Sequence, residues 1–345
     1  MTALRGVRAA AVLAALLLAL LLPGRARADT TCTATAVGAL AFGTVSATGN
    51  TDVSATFNVA CNTAALSVLG ATRVRMCLSI GDGSTGNGAY TPRGMTNAAS
   101  DVLAYQIYTD AARTTIWGNL ANTSGPGPLA WDFSYPVPVV TGGSQTFTVT
   151  LYARVPTAQT VSVGAYNSVF SSANTALNYS YNESIIGPPA TPATCTAGGT
   201  GTKSATGAFP FTASAVVAPR CSAYVATDLD FGSVGGSIHR SVDSVATLSM
   251  ACTNRTAWNV GLGDGLNAAN GARRMKHSAG AAYINYDLYH DSARSRRWGS
   301  TVGTDVLSGI GNGNTQTLTV YGRVPTGQTP VAGSYSDTVI ATITY

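Results

Sequence analysis

Fifteen carboxylates, three histidines and six cysteines are the residues with which this chain could do acid–base, nucleophilic or metal chemistry. Their distribution argues against all three. Glu183 is the single glutamate, and His239, His277 and His290 all lie in the second half. No Gly-x-Ser-x-Gly elbow, His-Glu-x-x-His pair or phosphate loop occurs, and a catalytic triad, recognised by geometry, has no pointer in the sequence. The cysteines, at 32, 61, 77, 195, 221 and 252, contain no Cys-x-x-Cys spacing of a zinc site. Asp82 and Asp264 each stand in Gly-Asp-Gly, a tight-turn signature far more than a cation site. Asp110 and Asp291 follow strand-like stretches and read as turn anchors. The expectation is a protein that binds rather than catalyses, with no metal and no cofactor.

The chemistry left to the cysteines is oxidation, and the N-terminus says where. Arg5 and Arg8 precede an apolar run at 9–22; Pro23 and Gly24 break it, and Ala26-Arg27-Ala28 offers a small-x-small cleavage site. Residues 1–28 therefore read as a secretory signal peptide. The run is too short for a membrane span, which needs roughly 20 residues. All six cysteines fall in the exported part, where an even count reads as a disulfide framework. The formal charge of +5 includes Arg5, Arg8, Arg25 and Arg27, so the mature value is +5 − 4 = +1. A near-neutral chain with 10% charged residues carries no electrostatic footprint for nucleic acid.

The two halves repeat one pattern. Cys32 with Leu40-Ala41-Phe42-Gly43 matches Cys221 with Leu229-Asp230-Phe231-Gly232, and the Ala60-Cys61 stretch matches Ala251-Cys252. Gly81-Asp82-Gly83 recurs as Gly263-Asp264-Gly265, and Tyr105-x-x-Tyr108-x-Asp110 with Trp117-Gly118 recurs as Tyr286-x-x-Tyr289-x-Asp291 with Trp298-Gly299. Arg154-Val155-Pro156 recurs at Arg323-Val324-Pro325, and Gly164-Ala165-Tyr166 at Gly333-Ser334-Tyr335. Two long copies are two domains, not a solenoid. Period-two alternation at 147–152, 317–321 and 338–345, between clusters of Gly, Asn, Ser and Pro, marks half-buried antiparallel strands. The expected fold is all-β, each copy a sandwich. The repeat pairs Cys32 with Cys61 and Cys221 with Cys252, which leaves Cys77 for Cys195.

These residues resemble the spore coat protein U domain family, whose members include subunits of archaic, Csu-type chaperone–usher pili. The carrying motifs are the opening Cys-x(7)-Leu-x-Phe-Gly-x-Val at Cys32 and Cys221, the Gly-Asp-Gly turns, both Arg-Val-Pro motifs, and the close from Gly333 through Ile343-Thr344-Tyr345. The resemblance implies two tandem immunoglobulin-like sandwiches, the second lacking its final strand. It also implies export through the periplasm, a periplasmic chaperone, an outer-membrane usher, and a strand donated by the next subunit. Val339, Ala341, Ile343 and Tyr345 are then the acceptor strand that chaperone and donor would meet. The first copy departs from the pattern at 165–181, where the tidy close is absent.

On this reading 29–185 is an adhesin-type domain, 186–206 a linker, 207–220 a segment ahead of the second domain, and 221–345 a pilin-type domain. Only Asp29, Thr30 and Thr31 would precede Cys32 after cleavage, too short a donor, so the chain is expected to accept a strand without giving one. Phe209, Phe211, Ala213, Ala215 and Val217 alternate with polar or small residues and are expected to complete the first domain in cis, although Pro210 cannot donate to a ladder. Relative to the second copy, the first carries apolar extra residues at 64–70 and 129–140. Leu66, Val68 and Leu69, and Leu129, Trp131, Phe133, Tyr135, Val137 and Val139, are the candidate ligand contacts, expected on exposed fingers. The alternation of Phe133, Tyr135, Val137 and Val139 leaves an extra core strand open as the other reading. The function expected is a pilus-tip adhesin at the cell surface that supports biofilm formation on a biotic or abiotic target. A structural coat or cell-surface subunit and a carbohydrate-binding lectin are the alternatives.

Overall fold

A computed structural model describes residues 29–46, 49–65, 70–84, 88 and 90–345. The expected signal peptide 1–28 and the candidate contacts Leu66, Val68 and Leu69 lie outside the described residues. In the first domain the strands are β1 (Thr30–Ala34), β2 (Leu40–Thr44), β3 (Thr51–Thr63), β4 (Ala71–Ile80), β5 (Arg93–Thr96), β6 (Val102–Tyr108), β7 (Leu129–Pro136), β8 (Gly143–Val155), β9 (Gly164–Phe170), β10 (Thr175–Ser184), β11 (Gly201–Thr206) and β12 (Phe211–Val217). They form an eight-stranded sheet, β1-β3-β8-β6-β5-β9-β12-β2, and a four-stranded sheet, β11-β10-β4-β7. β3 and β8 pair along their full length, from Thr51↔Val155 to Thr63↔Gly143. Alternate residues, Phe57, Val59 and Cys61 on one and Val149, Leu151 and Ala153 on the other, turn into the core while threonines face out.

The segment 207–218 is part of this sandwich. β12 lies between β9, antiparallel, and β2, parallel. Pro210 sits just outside the strand, so no ladder bond is lost to it. Phe209, Phe211, Ala213, Ala215 and Val217 are all buried. Phe209 stacks on Phe57 at 4.9 Å and reaches Trp117 at 6.4 Å; Phe211 stacks on Phe170 at 4.4 Å.

The second domain repeats the frame with β13 (Cys221–Ala226), β14 (Val242–Cys252), β15 (Ala257–Leu262), β16 (Arg273–His277), β17 (Tyr283–Tyr289), β18 (Leu307–Ile310), β19 (Thr315–Val324), β20 (Tyr335–Ser336) and β21 (Ala341–Thr344). Its sheets are β13-β14-β19-β17-β16-β20 and β18-β15-β21. β20 occupies the place of β9, and no strand follows it where β12 would be. Residues 227–235, the counterpart of β2, form no strand either. With that slot open, the buried apolar cluster has fifteen members against thirty-two in the first domain, among the described residues.

Each domain is pinned by the same polar devices. Trp117 and Trp298 are buried and donate their indole N–H to Leu78 O and Val260 O, both at 2.8 Å. Arg93 and Arg273 are also buried; each donates to two backbone carbonyls at the end of β4 or β15, to the Trp117 or Trp298 carbonyl, and to one side chain, Gln106 or Asp287. Burial pulls the Arg93 guanidinium down to about 10. Asp110 accepts from Thr114 N and Thr115 N, and Asp291 from Ser295 N and Arg296 N; these backbone bonds lower both carboxyls. The disulfides are Cys32–Cys61, Cys221–Cys252 and Cys77–Cys195.

Three expectations change. The stretch 186–206 is not a tether: β11 adds to the edge of β10, and Pro189, Pro192 and Cys195 are buried. Arg75 and Asn182 bind Ala193 O and Ala190 O, so the crossing backbone is hydrogen-bonded to the sheet beneath it. The stretch 129–136 is not a projecting finger, because its backbone pairs with β4 from Leu78↔Leu129 to Ala71↔Pro136. Leu129, Trp131 and Phe133 are half-buried and Tyr135 and Val137 fully buried, as the alternation allows. Finally, the closing strand is β21 alone. Val339 lies in the crossover from β20, where Thr338 O and Ile340 O accept from Leu266 N and Gly263 N.

Candidate binding pole and acceptor groove

The register of β3 and β8 defines two ends. Val155 and Thr51 lie beside the second domain, which docks through Val163 N to Asn254 O at 3.0 Å, Asn254 Nδ2 to Ser162 Oγ at 3.0 Å and Arg255 to Asp101 at 3.2 Å. At Thr63, the other end of the thirteen-residue β3 and about 40 Å away at 3.3 Å per residue, is the opposite pole. Three loops meet there. Gly142 abuts Thr63 and Ala64, Val137 N donates to Gly70 O at 2.8 Å, and Ser184, at the end of β10, pairs with Ala71. The pole therefore gathers Ala64, Ala65 and Gly70 with 137–142 and 185–188.

Apolar side chains stand in solvent at this pole. Val139 is 47% exposed, Val140 87%, Ile185 65% and Ile186 78%, with Pro138 and Pro188 exposed beside them. Of the predicted contacts among the described residues, only Val139 is freely exposed here. Ile185 and Ile186 were missed because they fell at the domain's expected end, next to a Pro-rich stretch read as linker. Their signal was available: two adjacent isoleucines where a strand ends. Trp131, Phe133 and Phe147 form one aromatic cluster, with ring centroids 4.5–6.3 Å apart, and Phe133 also stacks on Tyr135. Asp132 is held by Arg75 through two bonds of 2.7 Å, which lower its carboxyl. That acid is not free to serve as a sugar ligand beside Trp131.

The second candidate site is the open slot of the second domain. Leu40 and Phe42, against β12, are buried; their counterparts Leu229 and Phe231 are half-exposed. Tyr166 and Phe170 on β9 are buried, while Tyr335 and Val339 are not. On β21 Ile343 is half-buried and Ala341 exposed, Tyr345 just beyond it is exposed, and among the described residues β21 pairs with β15 alone. Same residue types, same frame, different cover: the difference is the strand β12 supplies. Among the described residues no group of three His, Cys, Asp or Glu is arranged to hold a metal.

The family described as Spore Coat Protein U domain matches residues 19–172 and 207–342. The chain belongs to that family. The gap between the two matches, 173–206, holds β10, the disulfide-anchored crossing segment and β11. Protein U of Myxococcus xanthus is 42% identical over 105 residues, 29% of this chain; the chain spans 58% of that relative's length. Among solved structures, one is described as the CsuC–CsuE chaperone–tip adhesion subunit pre-assembly complex of archaic chaperone–usher Csu pili of Acinetobacter baumannii. It is 19% identical, with a TM-score of 0.46, and covers 91% of this chain and 100% of that one. The CupB6 tip adhesin of Pseudomonas aeruginosa is 13% identical, with a TM-score of 0.31, and covers 90% of this chain and 93% of that one.

Proposed function

We propose that this spore coat protein U domain protein is the tip adhesin of a chaperone–usher pilus, exported through the periplasm to the cell surface. The observation that carries the reading is the asymmetry of its two domains: β12 fills the slot of the first in cis, and the same slot of the second is open. A unit complete at one end and strand-accepting at the other fits the end of a polymer. Its partners on this reading are a periplasmic chaperone, an outer-membrane usher and the next subunit, whose strand lies beside β20 and the crossover to β21. Unpaired edges of this kind promote aggregation until they are covered, which is the chaperone's task.

The ligand of the tip is an apolar surface, biotic or abiotic, met by the three-loop pole. Burying a Val or Ile side chain contributes about 1.5–3 kcal/mol, so partial burial of Val139, Val140, Ile185 and Ile186 yields a few kcal/mol per tip. Many tips per cell multiply it through avidity, the basis of biofilm attachment. The test replaces those four residues with Ser and measures attachment of piliated cells to polystyrene in low and high salt. Attachment is expected to fall sharply at both, because ion pairs carry little of it, with pilus number unchanged. Trp131→Ser serves as the contrast, since it opens the aromatic cluster and lowers the first domain's stability. Unchanged attachment of the fourfold variant sinks the apolar-tip reading. A coat subunit assembled by the same strand capture is the second reading, favoured by the relation to Protein U; the protein would then co-purify with a coat and not with pili.

A further inference from the structure

In the first domain, Ala213 of β12 pairs with Ser168 on one side and Leu40 on the other. Ser168 is buried, as is Tyr105, and Phe42 meets Tyr105 edge-on at 6.0 Å. The open slot has the same arrangement with one exchange. Phe231 meets Tyr286 edge-on at 6.1 Å, Leu229 stands for Leu40, and Ser168 is replaced by Asp337. Its side chain shares the inward alternation of Tyr335 and Val339. The carboxylate is already oriented. Tyr286 OH donates to Oδ2 at 2.8 Å, and Asn267 N and Nδ2 donate to Oδ1 at 3.1 and 2.9 Å. The apolar slot thus holds one oriented carboxyl group at the level where the cis strand presents Ala213.

We infer that Asp337 is a specificity-determining residue of the open slot, selecting an incoming strand by the side chain placed opposite it and making strand capture pH-dependent. The inference rests on the acceptor reading above. A strand seated as β12 is seated removes Asp337 from water. Burying a charge is costly unless it is paired or protonated. The three existing hydrogen bonds are present before and after capture, so they cancel; desolvation is new and raises the carboxyl pKa in the complex. The complex then binds more protons than the separate partners, and affinity rises as pH falls. A hydroxyl opposite Asp337 supplies a donor and removes the need for the proton.

The other charged groups around the slot are arranged as follows. Tyr286 on β17 is held neutral by burial and by its bond to Asp337. Arg273 on β16 is ion-paired with Asp287 on β17. Asp264 in the adjacent turn is paired with Arg297, and Asp230 accepts from Gly232 N on the far side. His277 on β16 lies against Tyr335 at 5.0 Å. Asp337→Ser leaves His277 in place, so comparison with it isolates the carboxylate.

The experiment uses the full exported chain and a fluorescent peptide with the sequence of residues 207–218, titrated by anisotropy at pH 7.5 and pH 5. Wild type is expected to capture it about tenfold more tightly at pH 5, which takes a rise of about two pKa units on burial of the carboxyl. Asp337→Ser should bind at pH 7.5 at least as tightly as wild type does at pH 5, with the slope reduced. Asp337→Asn, which keeps the side chain's length, should behave likewise. A peptide carrying Ala213→Ser should regain affinity for wild type at pH 7.5 and gain nothing for Asp337→Ser. Wild-type affinity and slope in both variants overturn the inference while leaving the acceptor reading intact. So does failure of both variants to fold, which makes Asp337 an anchor of the Asn267 turn. No capture by wild type at either pH overturns the acceptor reading and the inference with it.

Discussion

Phe209 is the place to ask whether β12 is part of the first domain's core or a strand resting on it. The side chain is fully buried, stacked on Phe57 and close to Trp117. Truncating such a phenylalanine to alanine costs about 3–5 kcal/mol. Phe211 touches Phe170 instead, so the two sites share no aromatic partner and their costs should nearly add. The double variant then loses about 6–10 kcal/mol, much of the 5–15 kcal/mol that holds a typical domain folded. In urea, with a slope of about 2 kcal/mol per M, Phe209→Ala should lower the first domain's midpoint by about 1.5–2.5 M. Trp117 fluorescence reports that transition, and far-UV circular dichroism separates it from the second domain's. The double variant should lack the first transition altogether. Val216→Ala, on the outward face of the same strand, should stay within about 0.5 kcal/mol. A Phe209→Ala shift below about 0.5 M would refute the reasoning, because β12 would then contribute little to the core.

Further outcomes follow from the same contacts. Replacing Cys77 and Cys195 by Ser releases a loop of 118 residues, worth about 4–5 kcal/mol by chain entropy, and should make 188–200 protease-sensitive without moving the second transition. Arg273→Met leaves Asp287 with Arg297 alone and removes the donor from three carbonyls, which should destabilise the second domain by about 1–3 kcal/mol for each carbonyl left unsatisfied, and Arg273→Lys should not rescue it because an ammonium lacks the planar fork. Rescue by Lys would show that charge alone matters there. Asp52 and Asp243 are held below the ordinary aspartate range by Arg154 and Arg323. Their contribution is complete above about pH 3.9 and is lost as pH falls through the depressed folded values. Both are substantially solvated, so the effect is small. Asp52→Asn with Asp243→Asn should flatten the acid limb of a thermal-melt profile between pH 2 and 5, and an unchanged limb would assign acid unfolding elsewhere.

Periodicity and repetition are legible along the chain. Two copies of one ordered pattern dictate two sandwiches, and matched cysteines dictate matched bridges. Alternation in 209–217 is a property of five side chains along one strand, so it is readable without any partner. The remainder depends on contacts between distant segments. The same alternation in 129–136 fits a solvent-exposed finger or a sheet edge, and pairing with β4 chose the edge. Composition at 186–206 says linker, yet Cys195 and the ladder to β10 bind it to the domain. Asp337 looks like any polar residue in a closing strand until Tyr286 and Asn267 are found holding it inside an open apolar slot. Ile185 and Ile186 mean nothing alone. They stand beside Val139 and Val140 only because β10 ends at the pole where β7 turns into β8, and sequence records side-chain order along a chain, not which chain ends meet.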